Sequence, residues 1–166
     1  MTILIIIATS IFIFYLFNND RKDEKIKVLQ RGGLKQIYPK FTQYIELANS
    51  GEYSHEMSLN ETRFELVKDD GEYLEYKFPI FSFNGSLSGY YYIGIHHTFG
   101  TFAYCYCINS RGRKIEGFMS ELHNGRNNGI PRDKEIDNYR SIFSRLILNM
   151  ESKPNFEDKF YNNNFK

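Results

Sequence analysis

Residues 89 to 109 read Gly-Tyr-Tyr-Tyr-Ile-Gly-Ile-His-His-Thr-Phe-Gly-Thr-Phe-Ala-Tyr-Cys-Tyr-Cys-Ile-Asn. Two runs of Tyr, Phe and Ile flank a short Thr-Phe-Gly-Thr segment, a pattern that suits a pleated, half-buried β-hairpin. A turn on Phe99-Gly100 pairs Thr98 with Thr101, His97 with Phe102, Ile95 with Tyr104 and Ile93 with Tyr106. Alternation then assigns each side chain to a face. Tyr91, Ile93, Ile95, Phe102, Tyr104, Tyr106 and Ile108 share the bulkier face, expected to meet the core. Tyr90, Tyr92, His96, Ala103, Cys105 and Cys107 share the other, which is too aromatic to stay bare and calls for a cover. A slip of one residue would exchange the faces of one strand.

A hairpin of this kind needs further strands, and the flanking sequence supplies them. Thr62–Lys68, Glu72–Phe83 and Ser86–Ile95 precede or enter it, and Lys114–Met119 follows. The separators Asp69-Asp70-Gly71, Asn84-Gly85 and Arg111-Gly112 are tight-turn signals. Within the second strand Leu74, Tyr76, Phe78 and Ile80 face one way and Glu75 and Lys77 the other. Pro79 belongs at an edge, bulge or bend, since it has no N–H for the ladder. The result is a five-stranded antiparallel meander.

Helical periodicity brackets the strands. Leu34, Ile37, Tyr38, Phe41, Tyr44, Ile45 and Ala48 form a stripe, with the regular helix expected from Pro39 to Asn49 and Gly51 as its stop. Ile136, Tyr139, Ile142, Phe143, Leu146, Ile147 and Met150 form a second stripe, with Pro131 in the favoured first turn and Lys153-Pro154 as the stop.

Thr2–Phe17 is apolar except for Thr9 and Ser10. It has no basic residues before it and no small-residue cleavage site after it, so an uncleaved anchor is expected, with a cleaved signal peptide as the alternative. Arg21, Lys22, Lys25 and Lys27 follow. By the positive-inside rule they favour a cytoplasmic over a periplasmic or extracellular domain.

The expected fold class is α+β: an N-terminal membrane-anchor helix, then a five-stranded antiparallel meander flanked by two amphipathic helices packed on one face. Residues 1–19 form the anchor, 20–33 a charged connector, 34–153 a single domain and 154–166 a flexible tail. The length of 166 residues has room for one domain, and a net charge of +1 gives no case for nucleic acid. Two cysteines make no disulfide framework.

Two residue sets could carry chemistry. In the register above, His96 shares a face with Cys105 and Cys107, which would suit a Cys–His nucleophile pair or part of a zinc site. The spacing matches no zinc pattern, so no metal or cofactor is expected, and buried structural thiols are the simpler reading. Arg111, Arg113, Lys114 and Arg126 form a basic set on two loops that could hold phosphate or an acidic partner. Carboxylates gather at turns and outward strand positions, with none placed across a cleft for acid–base work. Asn60-Glu61-Thr62 matches a glycosylation triplet that is common by chance. The expected function is a membrane-tethered, non-enzymatic interaction module. It would bind a protein partner through Tyr90, Tyr92 and the aromatic face, as an accessory subunit or an immunity-type inhibitor does. The alternative is a small thiol enzyme or hydrolase centred on the hairpin.

Overall fold

The computed structural model describes residues 2–50, 63–82, 84–98, 100–123 and 133–162. The Asn60 triplet, Arg126 and Pro131 lie outside them.

Helix α1 spans Thr2–Gln30, so the apolar run and the first part of the charged segment are one uninterrupted rod. The expected connector is helical because its residues are mostly good helix formers, with a Glu24–Lys27 ion pair one turn apart. Its last turns are also tied to the domain. Val28 is buried in the core, Arg21 pairs with Glu72, and Lys25 pairs with Asp70 at 3.4 Å. Gly71, at φ 81°, turns the chain where Leu29 comes so close that a Cβ there would sit 2.8 Å from its Cγ. By length and composition α1 could cross a membrane.

A short helix α2 (Leu34–Ile37) precedes α3 (Pro39–Ser50), which begins on its proline as expected. The sheet follows as β1 (Glu65–Asp69), β2 (Tyr73–Phe81), β3 (Leu87–His97), β4 (Thr101–Asn109) and β5 (Lys114–His123), antiparallel throughout and in sequence order. All three tight-turn signals fall between strands. Burial would raise the pKa of Asp70 in the first turn. The N–H groups of Tyr73 and Glu72 and the Lys68 ammonium outweigh that and hold it at about 2. Pro79 lies in β2 beyond the end of β1, whose first residue Glu65 pairs with Lys77, so its missing N–H leaves no neighbour unsatisfied on that side.

Helix α4 (Ile136–Glu151) starts five residues later than Pro131. Two carboxylates just ahead of it are turned toward other partners. Asp133 accepts the Lys40 backbone N–H at 2.6 Å and the Tyr139 hydroxyl at 2.7 Å, and Glu135 pairs with the Lys40 ammonium. These contacts tie the approach of α4 to the start of α3.

Phe41, Tyr44 and Ile45 of α3 and Tyr139, Phe143, Leu146 and Met150 of α4 join one buried cluster with Leu74, Tyr76, Phe78, Tyr91, Ile93 and Ile95 of the sheet. Helix α4 lies over β4 and β5.

The stretch after Pro154, expected to be a flexible tail, is part of this core in its described portion. Phe156, before a π-helical turn at Asp158–Asn162, and Phe160, on it, are both buried. Phe160 meets the Tyr91 ring at 5.3 Å and stacks on Phe156 at 5.5 Å. Gly89 makes room for it, since a Cβ there would lie 2.9 Å from the Phe160 ring and 2.2 Å from the Ile108 carbonyl.

Candidate functional site

The register of the β3–β4 hairpin decides what the sheet displays. His97 pairs with Thr101, Ile95 with Ala103, Ile93 with Cys105 and Tyr91 with Cys107. The connection holds three residues, 98 to 100, instead of two, with the Thr98 N–H bonded to the Gly100 carbonyl at 2.9 Å. That one-residue shift exchanges the faces of β4. The core face therefore carries Ala103, Cys105 and Cys107 beside Tyr91, Ile93 and Ile95. Tyr104 and Tyr106 move to the opposite face with Tyr90, Tyr92 and His96. The exchange is physically sensible: small side chains lie beneath the bulky stripe of α4, and the tyrosine hydroxyls reach a polar surface.

Two expectations fall with the old register. His96 no longer shares a face with Cys105 and Cys107, so the Cys–His pairing and the shared zinc site have no geometric basis. Burial pushes the Cys105 thiol up to about 12 and Cys107 to about 11, the opposite of an activated nucleophile. Both should resist iodoacetamide at pH 8 in the folded chain and react at least 100-fold faster in denaturant, as followed by intact-mass spectrometry. Fast labelling of either thiol in the folded chain would contradict the burial. Among the described residues, no cluster of His, Cys, Asp and Glu could hold a metal ion. His97 bonds the buried Thr101 hydroxyl at 2.9 Å, and Thr101 in turn meets Tyr38 at 2.7 Å.

On the open face the rings form a continuous array. Tyr92 and Tyr106 stack in parallel at 4.6 Å, Tyr104 lies 6.2 Å from Tyr106, and Tyr73 and His96 stack at 4.4 Å. In the middle sits Glu75, only 8% exposed. Its Oε2 accepts the hydroxyls of Tyr104 at 2.7 Å and Tyr106 at 3.1 Å. Burial, and then the adjoining carboxylate, raise the pKa of Tyr104 and of Tyr106, so both remain protonated donors.

Gly94 makes this geometry possible. It lies opposite Tyr104, and a Cβ at Gly94 would sit 2.7 Å from the Tyr104 hydroxyl oxygen. Without that Cβ, the Tyr104 ring crosses β3 and reaches Glu75 on β2.

The cations around Glu75 are engaged elsewhere. Lys68 is its partner in the β1–β2 register, yet its ammonium lies 3.2 Å from Asp70 and 3.8 Å above the Tyr73 ring. Lys77, two residues along the same strand, pairs with Glu65 at 3.3 Å and leans over Tyr90 at 4.9 Å.

Of the expected binding residues, Tyr90 and Tyr92 lie on this face. Lys114 joins them by holding its ammonium 4.1 Å from the Tyr106 ring centre. Arg111 and Arg113 sit on the exposed β4–β5 turn, where both backbone N–H groups bond the Asn109 side chain. Glu75, Tyr73, Tyr104 and Tyr106 were not anticipated as site residues. The available signal was Gly94, an isolated glycine inside an aromatic strand, which marks a close approach.

Comparison with known proteins finds no family model, no curated protein and no solved structure that matches this chain.

Proposed function

We propose that this chain is a membrane-tethered, non-enzymatic interaction domain that binds a protein partner through the tyrosine-rich face of its sheet. The observation that carries this reading is the half-exposed array of Tyr73, Tyr90, Tyr92, Tyr106 and His96 around a buried carboxylate. Tyrosine supplies large amphipathic contact area at low conformational cost and is enriched where proteins meet. The tether reading rests on the length and apolar character of α1, and Arg21, Lys22, Lys25 and Lys27 after the apolar run favour a cytoplasmic domain. An accessory subunit or an inhibitor of the immunity kind would both work in this way.

The test is site-specific photocrosslinking in the native cells. A benzophenone side chain at Tyr92 should give one discrete adduct. The same probe at Leu148, which is exposed on α4, should give none. Tyr90→Ser combined with Tyr92→Ser should abolish co-purification of the crosslinked protein. Equal crosslinking from both positions, or undiminished co-purification by the double variant, would remove the reading.

A further inference from the structure

A carboxylate removed from water is costly unless a cation or several hydrogen bonds compensate it. Glu75 receives two tyrosine hydroxyls on Oε2 and has no ion-pair partner among the described residues. Its other oxygen, Oε1, accepts no hydrogen bond from those residues, yet it is not sealed from solvent. The two lysines best placed in the ladder to neutralise it, Lys68 and Lys77, are turned to Asp70 and Glu65. Tyr104 and Tyr106 turn their hydroxyls to this carboxylate, and Tyr92 stacks on Tyr106 at 4.6 Å. A buried negative charge among aromatic side chains, with one oxygen left open, favours a cation.

We propose that Glu75 and the surrounding tyrosines form a receptor for an arginine side chain presented by the protein partner. The inference rests on the reading of this face as a protein-binding surface and names the group that it recognises. A guanidinium fits for two reasons. It can donate to Oε1 while Oε2 keeps its tyrosine bonds, and its plane can stack on a tyrosine ring, which an ammonium cannot do. Lys114 and Lys77 at the margins repel a diffuse cationic patch, so the site takes a single inserted cation.

The experiment uses the full chain in lipid nanodiscs, with tyrosine side chains carbon-13 labelled and observed by NMR. The probes are the tripeptides Gly-Arg-Gly and Gly-citrulline-Gly, which differ in charge and little in shape. Gly-Arg-Gly should give saturable shifts at Tyr92, Tyr104 and Tyr106, with affinity at least tenfold above that of the citrulline peptide. Glu75→Gln, whose amide oxygen can still accept both hydroxyls, should remove that preference. Tyr92→Leu should weaken binding several-fold with the carboxylate intact. If Glu75→Gln fails to fold, the arginine-to-citrulline ratio on the native chain decides alone. No saturable shift, equal affinity for the two peptides, or an unchanged preference in a folded Glu75→Gln would overturn the proposal. Equal affinity for the two peptides on the native chain, with crosslinking at Tyr92 intact, would refute this inference and leave the interaction reading standing. Loss of the crosslink would refute that reading directly.

Discussion

Phe160→Ala lowers the unfolding free energy of the domain by about 3–5 kcal/mol, the cost of emptying a buried aromatic site. Phe160 is fully buried although it lies only six residues from the end of the sequence. Its ring touches Tyr91 on β3, Phe156 one turn earlier and Tyr161 beside it, at centroid distances of 5.3, 5.5 and 5.0 Å. Little can collapse into the space it leaves. Gly89 has no side chain to move in, and Tyr91 is held by its hydroxyl bond to Glu151 at 2.8 Å. The measurement is urea denaturation of the full chain in mild detergent, followed by near-ultraviolet circular dichroism of the tyrosines. Tyr161→Ala is the control, because that side chain is more than one-third exposed, and it should cost under about 1 kcal/mol. A Phe160→Ala effect as small as the control's would mean that the segment after Pro154 is a tail and not a part of the core.

Gly94→Ala has the second large effect, and it acts through the open face. The new methyl group would lie 2.6 Å from the Leu74 carbonyl oxygen and 2.7 Å from the Tyr104 hydroxyl. Tyr104 must yield, and the β2–β3 ladder must shift as well, because the nearer contact is a backbone oxygen. Overpacking of this kind costs about 1–3 kcal/mol. The lost hydrogen bond to a charged acceptor adds about 1.5–3 kcal/mol. The expected total is about 3–5 kcal/mol, because the two costs overlap at one side chain. A second signature separates it from a simple core lesion. With Tyr104 displaced and its hydroxyl no longer on Glu75, its phenol pKa should fall toward the ordinary tyrosine range, visible in the alkaline absorbance titration. A variant of unchanged stability, or one with unchanged titration, would show that Tyr104 does not depend on the missing Cβ.

The sequence exposes the meander, its three turns and the two helical stripes because each rests on local rules. Gly71, Gly85 and Gly112 take the positive φ that tight turns require, and the apolar positions repeat at the strand or helix period. The candidate site is less legible, since it depends on a loop-length choice between two and three residues at 98 to 100. Local chemistry does not distinguish these, because Thr-Phe-Gly-Thr serves either turn. The decision belongs to packing: α4 brings Tyr139, Phe143 and Met150 to the sheet, and Ala103, Cys105 and Cys107 leave space for them where Tyr104 and Tyr106 would not. The same holds at Glu75. Its outward strand position is readable from alternation, but its burial follows from tyrosines on β4 that reach across a glycine. At the two ends of the chain, charge and polarity suggest a linker and a tail. A single buried residue in the first segment, Val28, and two a turn apart in the second, Phe156 and Phe160, bind each segment to the core.

On the proposal that α1 is a membrane tether, its unbroken course has a further meaning for a partner confined to the same bilayer. A flexible linker would let the domain swivel and offer its tyrosine face in every direction. A continuous helix that spans the bilayer and is tied to the domain through Arg21, Lys25 and Val28 would give that face one compass bearing around the membrane normal. The bearing is set by residue count, at about 100° of rotation for each residue between bilayer and clamp. Such a tether would act as an indexing shaft, and the encounter with a membrane neighbour would become a search in the plane with the approach angle already chosen.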